Sequence, residues 1–121
     1  MYNKIILIGR LTKDPESRMT TSGINVTRFS IAVDRTFAKQ DQEKITDFFQ
    51  VVTWRRLAEI CGQYLKKGKL IAVEGRVQVN KYTKDGEDKE MVEIVADNVQ
   101  MLDRGNQESN TESLETANSK I

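Results

Sequence analysis

Apolar and polar residues alternate with a period of two along most of this chain, and the places where the alternation stops mark its elements. "NKIILIGRL" is rich in β-branched residues and is followed by the turn-forming "TKDPES", which holds the only proline, Pro15. It predicts a strand over about residues 3–12. Both sides of that strand are apolar, Ile5, Leu7 and Leu11 on one and Ile6 and Ile8 on the other. A barrel buries one such side, and the other is left to meet a partner subunit. After "TTSG", the run "INVTRFSIAVDRTF" predicts a second strand with Phe29, Ile31 and Val33 inward and Arg28, Ser30 and Asp34 outward. Strict parity puts Phe37 with the inward set, whereas a bulge or a strand end near Arg35 frees it; the two readings stay open.

The charged stretch "AKQDQEKIT" separates that strand from a third, residues 47–53, where parity places Phe48, Gln50, Val52 and Trp54 on one side and Phe49, Val51 and Thr53 on the other. The period then changes. Leu57, Ile60, Cys61, Tyr64 and Leu65 follow helical spacing, so residues 55–67 are expected to form one amphipathic helix, with Lys66 and Lys67 in its last turn and Gly68 as its stop. "KLIAVEGRVQVNKY" returns to alternation, with Ile71, Val73, Val77 and Val79 inward and Glu74, Arg76, Gln78, Asn80 and Tyr82 outward. Asp85-Gly86 in "TKDGEDKE" marks a hairpin turn, and "MVEIVADNVQML" is the fifth strand. From residue 105 to 121 apolar residues are scarce and aperiodic, which predicts a disordered tail after a single domain spanning residues 1–104.

Three strands, one helix and two strands, with no repeat at solenoid periods, is the layout of an all-β, five-stranded Greek-key barrel of the OB-fold kind, the helix lying between the third and fourth strands. That architecture builds its binding face largely from the second and third strands and does not by itself fix a function.

Composition narrows the chemistry. The chain of 121 residues has no histidine and one cysteine, Cys61, so the usual zinc ligands, a disulfide framework and the side chain best suited to proton transfer near pH 7 are missing. No metal or cofactor is expected. Asp14 with Glu16, and Asp85 with Glu87 and Asp88, lie in polar loops where solvated charge is the ordinary explanation. "GQYLKKGK" has the wrong glycine spacing for a phosphate loop and Leu70 where a hydroxyl residue should follow the lysine. Cys61, on the apolar side of the helix, fits a buried small hydrophobe. The apolar run before Gly9 is too short for a signal peptide or a membrane span, so a cytoplasmic protein with no membrane partner is expected, and the "NVT" sequon at Asn25 is a chance match.

The net charge of +1 hides a split: residues 1–104 hold 18 Lys/Arg against 15 Asp/Glu, and residues 105–121 hold one against three. A mildly basic body is a weak sign of nucleic acid, so the placement of the cations decides. Phe48, Trp54 and Tyr82 project from the polar sides of their strands or strand ends among Arg28, Arg35, Arg55, Arg56, Arg76 and Lys81. Any one exposed ring is commonly covered by a subunit interface. The set is harder to explain that way. Cations neutralise phosphates and rings stack on bases, a combination that a single strand offers and a duplex hides.

"NKIILIGRLTKDPESR", "FSIAVDRTF", "DFFQVVTWRRLAEICGQYLKKGKLIAVEGRVQVNKYT" and "VQML" together resemble the bacterial single-stranded DNA-binding proteins over residues 3–102. The resemblance implies a non-catalytic homotetramer that coats single-stranded DNA in replication, recombination and repair, associated with the nucleoid. The positions matching the family's stacking aromatics are Phe37, Phe48, Trp54 and Tyr82, which favours the reading that frees Phe37. Replicative members end in a linker and an acidic Pro-Phe tip that docks partner proteins. This sequence ends "ETANSKI", so recruitment of replication and repair enzymes is not implied, and an accessory or mobile-element paralogue and a truncated chain are both open. An OB-fold module that binds RNA or serves only as an assembly subunit is the alternative; a carboxylate-dependent nuclease fits the missing histidines poorly.

Overall fold

The computed structural model describes residues 1–35 and 45–103. Phe37 and the tail of residues 105–121 lie outside the described residues. The elements are β1 (Ile5–Leu11), β2 (Glu16–Met19), β3 (Asn25–Asp34), β4 (Thr46–Trp54), α1 (Arg55–Tyr64), β5 (Leu70–Lys84) and β6 (Glu87–Met101). They form one sheet in the order β1-β5-β6-β4-β3-β2, and a further pairing of β1 with β3, Arg10 opposite Ala32 and Leu11 opposite Ile31, closes it into a barrel. Neighbours run antiparallel except β4 and β6, which pair in parallel at Val51–Ile94 and Val52–Val95. Among the described residues, the five long strands and the single helix are those the alternation predicts.

Alternation holds because one side of each strand faces the barrel interior. Phe29, Ile31, Val51, Ile71, Val73, Ile94 and Val99 are buried there, and Leu57, Ile60, Cys61 and Leu65 from α1 and the residue after it complete the same core. Burial pushes the Cys61 thiol up to about 12, so it is a packing group rather than a nucleophile. Polar contacts centred on Thr27 join the helix and three strands: the Thr27 hydroxyl donates to the Ala58 carbonyl of α1 at 2.7 Å and bonds the Ser17 hydroxyl of β2 at 2.9 Å, and the Thr53 hydroxyl of β4 donates to the Thr27 carbonyl at 2.9 Å. Gly62 sits in this joint, since a Cβ there would run into the Ser17 hydroxyl.

The structure departs from the sequence-based expectations in four places. β2 is an additional strand, where the sequence reads as loop. Its four residues are exposed and it pairs only with β3, so it carries no apolar alternation to announce it. The helix ends at Tyr64, and Lys66 and Lys67 lie beyond it in a turn closed by Gly68 at φ 89°. The Leu65 N–H still bonds the Cys61 carbonyl at 3.0 Å, but Leu65 itself is extended. Val79 is half exposed rather than buried, because β5 and β6 run past the barrel as a hairpin arm whose inward side no described layer covers. Ser30 points outward as parity requires and is nevertheless buried.

The arm turns at Asp85 and Gly86, whose φ values of 53° and 77° suit the primed two-residue turn that matches strand twist. Its root is held by Asn3, whose side-chain amide donates to the Val77 carbonyl at 2.7 Å and accepts from the Val77 N–H at 3.0 Å. Lower in the barrel the β5–β6 register shifts, with Glu74 opposite Asn98 and Gly75 opposite Ala96, which leaves Asp97 as the unpaired residue of a bulge.

Candidate nucleic-acid interface

The outward side of β3 and β4 is set by the same register that builds the core. Ala32 lies opposite Phe48, Ser30 opposite Gln50, Arg28 opposite Val52, and Val26 opposite Trp54. Across the barrel the surface continues through Val95 of β6, beside Val52, to Arg76 of β5, opposite Val95. Phe48 is 66 % exposed and Trp54 40 %, whereas Val26, Val52 and Val95 form a small buried cluster on this outer side. Arg28, Trp54 and Arg76 flank that cluster in register, long side chains whose stems can cover apolar surface while their ends stay in water. An apolar floor with rings above it and guanidinium groups around it suits flat, charged polymers.

Trp54 ends β4 and opens the helix in extended conformation, with no side-chain cap. Arg55 follows at φ 59°, a left-handed conformation that costs a non-glycine residue about 1 kcal/mol or more. Together with Leu57, Arg76, Val95, Ala96 and Asp97 these two line a shallow concavity. The structure therefore brings Trp54, Arg55 and Arg76 together.

The other cations are distributed less simply. Arg28 lies on the face, its Nε 3.4 Å from Glu93, and Arg76 is 3.5 Å from Asp97. Arg35 and Asp47 make a two-pronged contact at 2.9 and 3.1 Å, on the side of the β3–β4 ribbon away from Phe48. The hydrogen bond from Arg35 holds the Asp47 carboxyl below the ordinary carboxylate range, and the same contact raises the Arg35 guanidinium. Arg56 is on α1, paired at 3.9 Å with Glu59, which also accepts from Asn25. Tyr82 stands on the arm opposite Lys89, on the same side as Asn80 and Gln78; Lys81 alternates to the other side, opposite Glu90. Arg55 and Lys81 have no acidic partner among the described residues.

Three residues on this face escape a reading that looks for rings and cations on long strands. Arg18 of β2 lies opposite Val26 and shares a hollow with Glu16 and Arg28; it was hidden because β2 reads as a turn. Glu93 and Asp97 are acidic, so a search for cations passes over them, although alternation from Ile94 places Glu93 outward.

A model of the single-strand binding protein family matches residues 2–102. The chain belongs to that family. Among its relatives, a single-stranded DNA-binding protein of Caldanaerobacter subterraneus subsp. tengcongensis is 49 % identical over 104 residues, covering 85 % of this chain and 69 % of the relative. Single-stranded DNA-binding protein 1 of Staphylococcus aureus is 43 % identical over 115 residues, 94 % of this chain and 74 % of the relative. Among solved structures, a Plasmodium falciparum SSB in complex with ssDNA superposes with a TM-score of 0.78 at 26 % identity, covering 85 % of this chain and 96 % of the other. The fold is thus the OB-fold barrel of this family. Among the described residues no helix is long and apolar enough to cross a membrane, and no three potential metal ligands cluster.

Proposed function

We infer that this chain binds single-stranded DNA without reading its sequence, and serves replication, recombination and repair by coating exposed strands in the bacterial cytoplasm. The observation that carries the reading is the position of Phe48 and Trp54 on one outer face, rings exposed beside Arg28, Arg55 and Arg76 over an apolar floor. Bases stack on the rings at about 1–3 kcal/mol each, phosphates meet the guanidinium groups, and neither contact needs base identity. Tyr82 extends the same track onto the arm. Binding makes and breaks no covalent bond, so no catalytic group is called for. Residues 1–104 are the binding domain, and Phe37 belongs to the site with the other three rings.

A homo-oligomer, a tetramer by family, is part of the proposal. Ile6 and Ile8 stand on β1 62 % and 54 % exposed, an apolar pair that a second copy would cover. Light scattering should return a multiple of the monomer mass at micromolar protein. Competition of a fluorescent dT oligomer by single-stranded DNA, duplex and RNA, with and without magnesium, tests the function. Single-stranded DNA should compete best and the labelled oligomer should stay intact. Equal competition by duplex would contradict the reading, preferential competition by RNA would move it to RNA, and magnesium-dependent cleavage would replace it with a nuclease.

A further inference from the structure

Two carboxylates stand on the face that the proposed function assigns to phosphates. The Glu93 side chain is 5 % exposed, a rare burial for an acid, and both of its oxygens are engaged: Oε2 lies 3.4 Å from the Arg28 Nε, and Oε1 accepts from the Asn80 amide at 3.0 Å. Asp97, the unpaired residue of the β6 bulge, places Oδ1 3.5 Å from the Arg76 Nη1. Arg28 and Arg76 are the two cations that flank the Val52–Val95 floor. Both central cations therefore already have an anion.

We propose that Glu93 and Asp97 are resident counter-anions, positioning residues that act through Arg28 and Arg76 to hold down the affinity of this face for phosphate. The inference rests on the single-strand-binding reading and concerns the strength of that same site. A guanidinium already neutralised by a fixed carboxylate attracts a phosphate weakly and displaces few of the counterions condensed on DNA, so it adds little to affinity or to its salt dependence. The two pairs differ in strength. Arg76 and Asp97 are both largely exposed, and water and salt screen such a pair, so a phosphate displaces Asp97 readily. Glu93 is buried and tethered by Asn80 and cannot follow, so Arg28 must swing away from it and leave a buried charge with one partner fewer. Glu93 is the stronger brake. A face restrained in this way draws a smaller share of its affinity from Arg28 and Arg76 than two unpaired cations would supply.

Fluorescence titration of a dT oligomer across a salt series, with wild type, E93Q, D97N, R28A and R28A/E93Q, tests the proposal, with thermal melting to establish folding. Gln at 93 keeps the shape and an oxygen for Asn80 while removing the charge. E93Q should bind several-fold more tightly at low salt, with the slope of log K against log[salt] steeper by about 0.7, the value of one phosphate on a single strand. D97N should do the same to a smaller extent, and R28A/E93Q should lose the gain that E93Q shows alone. An unchanged slope or weaker binding by E93Q would overturn the proposal, the latter by showing that Glu93 presents Arg28 to phosphate. Retention of the gain in R28A/E93Q would also overturn it. If E93Q does not fold, D97N decides, since its side chain is exposed. A wild-type protein that fails to bind dT at any salt would instead sink the single-strand-binding reading itself.

Discussion

The two sides of the β3–β4 ribbon do different work with the same backbone. Phe29, Ile31 and Val51 point inward and vanish into the core; Phe48 and Trp54, on alternate positions, stay exposed. Ring for ring, Phe29 and Phe48 offer similar apolar area, and what separates them is which layer covers them. An aromatic in the core stabilises the fold by leaving water when the chain folds. An aromatic on the outer side keeps that gain in reserve until a ligand covers it. Stability and binding should therefore separate cleanly by parity.

The largest expected effect is on the inner side. Phe29→Ala should destabilise the fold by about 3–5 kcal/mol, read by denaturant unfolding, because it leaves a cavity in a closed barrel. A loss below about 1 kcal/mol would mean that the interior is far looser than its burial indicates. On the outer side, Phe48→Ala and Trp54→Ala should each weaken dT binding by about 1–3 kcal/mol while leaving the unfolding midpoint nearly unchanged. Should either variant unfold instead, parity would not divide the two roles.

Val79 sharpens the comparison because it has inner parity without inner burial. Its replacement by Ala should change stability by less than about 0.5 kcal/mol, where a buried valine would cost several times more. The smallest effect belongs to the exposed Arg35–Asp47 pair near the Asp34–Thr46 end of the ribbon. The Asp47 carboxyl is held below its ordinary value, so whatever the pair contributes is present above the ordinary carboxylate range, about pH 4, and is lost as pH falls through the lowered value. Wild type and Asp47→Asn should converge in stability on acidification from pH 6. A gap that widens toward acid would reverse the assigned sign.

Sidedness was legible in the sequence and depth was not. Period-two alternation correctly assigns Phe48, Trp54 and Tyr82 outward and Ile71 and Val73 inward, since a pleated strand leaves a side chain no other choice. It cannot say where cover ends. Val79 shares a side with Val73 yet lies past the barrel rim, and Val52 shares a side with Phe48 yet is buried between β3 and β6. Both facts come from neighbours distant in sequence. β2 was illegible for a related reason, as a four-residue edge strand with every side chain exposed has no pattern to show. The acidic partners of the face were illegible as partners, because the Arg28–Glu93 pair spans 65 residues and depends on how β6 is set beside β4.

The central claim is that the outer rings meet bases, and Trp54 reports on it without any substitution, being the single tryptophan of the chain and partly exposed on that face. Adding oligo-dT to the protein while following tryptophan emission is the most direct measurement. Stacking predicts a fall in fluorescence that saturates as the labelled-oligomer anisotropy saturates. An emission unchanged at full anisotropy would show DNA bound somewhere other than this face, and would contradict the account.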